Sequence, residues 1–182
     1  STEHNVDLAA AWSALDAVAP NQDAAKQARI ARQFVSSQWD AGEGRFLIGT
    51  GADGQTSDRV RSGLDAQIWP LIALHEPPKD WRRGFAFIDQ AHRAGEGYGF
   101  NRDPDGLWTE GTAQAAAVAR LSGLGDKAQP LWRVLLAQQA GNGWLFATPQ
   151  ARISTGLAIG PDSVSNDFFY YHLPHLGATA WA

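Results

Sequence analysis

Cysteine is absent from this 182-residue sequence, and so is methionine. Without cysteine there is no disulfide, no thiolate nucleophile and no cysteine-ligated zinc site, and the redox compartment cannot be read. Basic clusters are missing as well: 15 Lys and Arg stand against 19 Asp and Glu, for a formal net charge of −4. Phosphate recognition needs grouped cations, so nucleic acid is not an expected partner. No apolar run approaches the roughly 20 residues of a membrane-spanning helix. No Walker-type phosphate loop and no nucleophile-elbow pattern is present. Methionine is missing even at the first position, so the chain reads as a mature, cleaved or excised segment with no signal peptide left to recognise. The compartment is not fixed by the sequence; periplasmic or secreted is the expectation.

What is present suits a folded protein. Hydrophobic residues make up 44% and charged residues 19%, and a chain of 182 residues can bury one real core. A single domain over residues 1–182 is expected. Eight Trp, eight Phe and three Tyr occur among nineteen Gly. Aromatics among glycine-rich loops suit the stacking of flat ligands, and equally suit a helical core.

Residues 3–19 read as a helix buried on most sides, capped by Ser1 or Thr2 and stopped by Pro20. Asn21 or Asp23 opens an amphipathic helix to about Trp39, with Ile30, Phe34 and Val35 on its dry side. Turn signals around Arg45–Thr50 predict a hairpin or ordered loop over 40–58. Residues 62–74 form another mostly uncharged helix, kinked or begun by Pro70. An amphipathic helix runs from Asp80 to about Ala94, and a second glycine-rich loop covers 95–106. The stretch 107–121 has no charge between Glu110 and Arg120, so it reads as a fully buried helix with Thr109 as N-cap. A third outer helix spans roughly 126–140, a mostly non-helical stretch covers 141–173, and a small apolar helix closes the chain from Pro174.

The alternation is an internal repeat: buried helix, amphipathic helix, glycine-rich loop, recurring roughly every 45 to 65 residues. Such hairpins cannot bury their inner faces alone and stack into an array. An apolar inner ring with an amphipathic outer ring predicts an all-α, (α/α) helical-hairpin toroid. It is incomplete, with about three and a half hairpins and short β-hairpin-like glycine-rich loops.

In that array the N-termini of the inner helices gather at one end. Glu3, Asp7, Asp65, Glu110 and His175 then edge one mouth, with Trp69, Trp108, Tyr170 and Tyr171 nearby. Carboxylates among aromatics are what glycoside hydrolysis needs: one acid protonates the leaving oxygen, and a second activates water or attacks the sugar. Each residue also has a structural reading. Glu110 in a first turn complements the helix dipole. Asp65 caps a helix or anchors a loop. Glu3 and Asp7 lie four apart and repel mildly, as the start of a fraying helix tolerates. His4 is a hydrogen-bonded structural histidine. His172 and His175 flank Pro174 but lack a spaced carboxylate partner, so no metal is expected there. Asp53, Asp58, Asp103 and Asp105 are turn residues, with loop calcium as the alternative.

Four stretches carry a family likeness: Ser1-Thr2-Glu3-His4-Asn5-Val6-Asp7, Leu64-Asp65-Ala66-Gln67-Ile68-Trp69-Pro70, Trp108-Thr109-Glu110-Gly111-Thr112-Ala113-Gln114 and His175-Leu176-Gly177-Ala178-Thr179-Ala180-Trp181. In this order, over nearly the whole chain, they resemble the bacterial six-hairpin glycosidase superfamily. The resemblance implies an (α/α) toroid acting on a poly- or oligosaccharide at its inner-helix N-termini. Many members are inverting hydrolases that use two carboxylates, while others are lyases, phosphorylases or epimerases. Here it implies Glu110 as general acid and Asp65 or Glu3 as base. Trp108 and Trp69 become sugar platforms, with His4, Asp7, Gln114, Tyr171 and His175 holding substrate. No cofactor is expected. The chain departs from the family in its hairpin number, and so resembles a C-terminal portion whose toroid another chain or a further segment completes. The alternatives are a lyase or epimerase with Tyr171 or His172 as base, and a non-catalytic glycan-binding or assembly subunit.

Overall fold

A computed structural model describes residues 1–103, 105–160 and 168–182. Helix dominates, at about 50% of the chain, with seven α-helices and only small two-stranded sheets among the described residues. The protein divides into two compact units, Ser1–Phe87 and Ile88–Ala182.

The first unit opens with α1 (Thr2–Val18), capped by Ser1, whose Oγ accepts from the His4 N–H at 3.3 Å. Helix α2 (Gln22–Ser37) follows Pro20, and its N-cap Asn21 accepts from the Asp23 N–H. Strands β1 (Trp39–Asp40) and β2 (Arg45–Phe46) pair antiparallel, Trp39 opposite Phe46. Helix α3 (Leu64–Ala73) holds Pro70 in its interior. A 3₁₀ turn (Lys79–Arg82) leads into α4 (Arg83–Ala91), within which the division between units falls. The core joins Val6 and Ala9 of α1, Ala31 and Val35 of α2, Phe46, and Ala66 of α3, with Leu74 and Trp81 beyond it. Phe46 stands edge-on to Trp81 at 4.9 Å.

The expectation of an α1 buried on most sides is corrected. Only Thr2, Val6 and Ala9 are buried, while Leu8, Leu15 and Val18 are 48%, 42% and 82% exposed. Its apolar residues go almost all round the helix, but α2 and α3 cover only part of that circumference.

The second unit has two further antiparallel pairs: β3 (Arg93–Ala94) with β4 (Gly97–Tyr98), and β5 (Arg152–Ser154) with β6 (Phe169–Tyr171). Helix α5 (Thr109–Leu121) packs on α6 (Gly125–Leu136) and on the short α7 (Leu176–Trp181). Nine of its 13 residues are buried. This is the helix without a polar face, and small Ala and Gly side chains let its neighbours approach. Its N-cap position belongs to Trp108, not Thr109, which is the first helical residue. Pro104 and residues 161–167, parts of the predicted 95–106 and 141–173 stretches, lie outside the described residues.

One side chain ties the parts of this unit together. Asp89 accepts from the Tyr98 hydroxyl at 2.6 Å and from Arg93 at 2.8 Å, and pairs with Lys127 of α6. Burial opposes the charge on Asp89, but these donors outweigh it and hold the carboxyl below its usual range.

Candidate active site

The repeat has a hydrogen-bond signature. In each glycine-rich loop a backbone N–H returns to the chain before the turn: Leu47 to the Gln38 carbonyl at 2.9 Å, Gly99 to His92 at 2.8 Å, and Phe146 to Gln138 at 3.0 Å. The preceding residue is then held by a side chain from the next apolar helix. Gln67 of α3 clamps Phe46 from both sides, accepting from its N–H and donating to its carbonyl, each at 2.8 Å. Thr112 of α5 accepts from the Tyr98 N–H at 3.1 Å. Thr179 of α7 accepts from the Leu145 N–H at 3.0 Å.

These clamps fix the register of the helix starts. Two residues before each clamp stand Asp65, Glu110 and Gly177. Helix α1 joins the same register through its first residue. The Thr2 N–H donates to the Ile48 carbonyl, as the Thr109 N–H donates to Ala147, both at 2.9 Å. Glu3 therefore matches Glu110. The sequence expectation set His175 at a helix start equivalent to these acids; by register that position belongs to Gly177, and His175 matches the N-cap Trp108.

Glu110 sits in the first turn of α5 with 16% of its side chain exposed. Its carboxylate lies over Gly177, so close that a Cβ there would come within 2.3 Å of Oε2. The His175 Nδ1 is 3.6 Å from the same oxygen. That approach is not a hydrogen bond, because Nδ1 already accepts from the Ala178 N–H at 3.2 Å as the cap of α7. Burial lowers the His175 pKa and so favours the neutral ring, and the bond that Nδ1 accepts places the proton on Nε2.

Aromatic rings surround this pair. Tyr170 meets His175 edge-on at 5.4 Å and Trp108 at 5.5 Å, and Trp108 meets Phe100 at 4.9 Å. Trp108 is only 2% exposed, so its ring walls the cluster from behind instead of offering an open platform. Tyr170 is the partly exposed member. Tyr171, expected to contact substrate, leaves the cluster because successive strand residues face opposite ways. It lines a separate groove of about 360 Å³ with Ile159, Phe168 and Phe169. Gln114, expected to hold sugar hydroxyls, is fully buried one turn below Glu110, with both amide atoms out of solvent and unpartnered among the described residues. His172 stacks on Phe146 at 3.9 Å, and its Nδ1 lies 2.7 Å from the Thr148 carbonyl.

The first unit carries the other expected residues. Glu3 is partly buried on α1, while His4 and Asp7 are exposed. Burial raises the Glu3 pKa, Asp7 raises it further, and His4 opposes both. Burial also raises Asp7. Asp65 occupies the first turn of α3, partly buried, and Trp69 follows one turn later on the same face. Among the described residues no group of three His, Asp or Glu is placed to hold a metal.

Phe100 and Gly177 escaped the sequence reading, and Tyr170 was placed near the mouth only together with Tyr171. Tyr170 could not be told from Tyr171 without the register of β6. Phe100 read only as loop. Gly177 looked like an ordinary small residue in an apolar helix, although its alignment with Glu110 was the available signal. The sequence matches no protein-family model and, to a significant degree, no curated protein.

Proposed function

We propose that this chain is part of an (α/α) toroid and acts on a poly- or oligosaccharide as a glycoside hydrolase. Glu110 is its general acid and Asp65 or Glu3 supplies the base. The observation that carries the reading is the setting of Glu110. It is a largely shielded carboxylate at a helix start, beside the His175 imidazole, which the partly exposed ring of Tyr170 meets edge-on. An acid that reaches a leaving oxygen next to an aromatic face is the working half of a glycosidase site. The repetition of acids at the starts of α1, α3 and α5 supports drawing the second carboxylate from an equivalent position.

The test is incubation of the full chain with a panel of neutral and uronic-acid polysaccharides. New reducing ends without ultraviolet absorbance support hydrolysis. An absorbing unsaturated product identifies a lyase and overturns the assignment of the acid. Glycan binding with no product identifies a non-catalytic binding subunit, and neither binding nor turnover removes the carbohydrate reading.

A further inference from the structure

Gly177 stands where the two preceding apolar helices carry Asp65 and Glu110. Its backbone does not require glycine, since it lies inside α7 and is not among the residues with positive φ. Alanine is the better helix former at such a position. The space above it explains the choice. A Cβ on residue 177 would meet Glu110 Oε2 at 2.3 Å, Cδ at 2.6 Å and Oε1 at 2.7 Å. All three atoms belong to one carboxyl group at the end of a flexible side chain, and no backbone atom is among them. The chain can thus accept a methyl group at residue 177 by swinging Glu110 away.

Gly49 shows the contrasting case. There the atom met by a new Cβ is the Ser1 Cα, at 2.8 Å, and φ is +143°. A side chain at residue 49 strains the backbone, whereas one at residue 177 displaces a carboxylate.

We infer that Gly177 is a positioning residue for Glu110: its bare Cα forms the seat that holds the carboxylate beside His175. The inference rests on the reading of Glu110 as the acid for its consequence in turnover, but not for the seat itself.

The test uses the full chain and the variant Gly177→Ala. Its melting temperature stays at or slightly above that of the wild type. With glutamate labelled by ¹³C at the carboxyl carbon, the Glu110 resonance, assigned by its loss in Glu110→Gln, moves in Gly177→Ala. On a polysaccharide that the wild type turns over, kcat falls by about 100-fold while KM changes little, as a misplaced acid requires. An unmoved Glu110 resonance overturns the inference, whatever the activity. A moved resonance in a wild type that turns over no polysaccharide upholds the seat and removes only the hydrolase reading. Should Gly177→Ala fail to fold, the pair Glu110→Ala and Glu110→Ala with Gly177→Ala decides. Equal stability of these two upholds the seat, because the colliding group is gone, and failure of the double variant alone overturns it.

Discussion

The two units use the same loop-and-clamp grammar and spend it differently. In the first, Gln67 holds both polar groups of Phe46, yet α1 leaves Leu8, Leu15 and Val18 exposed. In the second, Thr112 and Thr179 each hold one N–H, while α5 is buried along most of its length. The acids differ in the same way. Helix α3, which packs on α1, carries Asp65 at the matching position, whereas α7, which packs on α5, carries Gly177. Glu110 lies against a neighbour that has no side chain at that point. A repeat thus sets where acids stand, and one missing Cβ decides which of them is seated against another helix.

The largest expected effect comes from the stronger clamp. Gln67→Ala orphans the buried N–H and carbonyl of Phe46, at about 1–3 kcal/mol for each group. Thermal melting should show a fall of several degrees, since about 1 kcal/mol moves a chain of this size by roughly 2–4 °C. If the grammar is shared, Thr112→Val costs less, about 1–3 kcal/mol, because one buried N–H is orphaned instead of two groups. Equal losses from the two variants would break the comparison.

Next in size is Asp89, which belongs to the second unit alone. Its folded-state pKa is depressed, so its contribution is present above the unfolded value of about 4 and is lost as pH falls through the folded one. Asp89→Asn should cost about 1.5–3 kcal/mol at pH 7 and flatten the acid limb of the stability curve. An unchanged acid limb would remove Asp89 as the tie between Tyr98, Arg93 and α6.

The smallest effect is of opposite sign, because solvent screens the exposed Asp105. Burial and the neighbouring Asp103 raise the Asp105 pKa to about 6. The folded state then binds a proton more tightly than the unfolded chain, whose value is about 4. Stability falls as pH rises between those two values. Asp105→Asn should abolish that decline in a urea titration run at closely spaced pH values.

Much of the fold could be read from residue pattern. The apolar and amphipathic helices alternate as expected because Pro20, Asn21 and the glycine-rich turns punctuate them chemically, independently of packing. The depth of each residue was less legible. Leu8 and Ala115 both sit on helices without a clear polar face, and only the neighbours present decide that one is exposed and the other buried. The same holds for the site. Glu110 stood out because it is the lone acid of its helix. Trp108 and Gln114 looked equally functional from sequence, and packing hid both. The choice of Tyr170 over Tyr171 depends on strand register, a non-local property.

The most direct measurement is the rate of reducing-end release by Glu110→Gln beside wild type, at matched folding and on the best substrate of the panel. The substitution keeps shape and hydrogen-bonding reach but removes the transferable proton. The account predicts a loss of about 10²- to 10⁴-fold in kcat, the usual range for a general acid. Full activity in Glu110→Gln would contradict it and leave the seated carboxylate with a structural role alone.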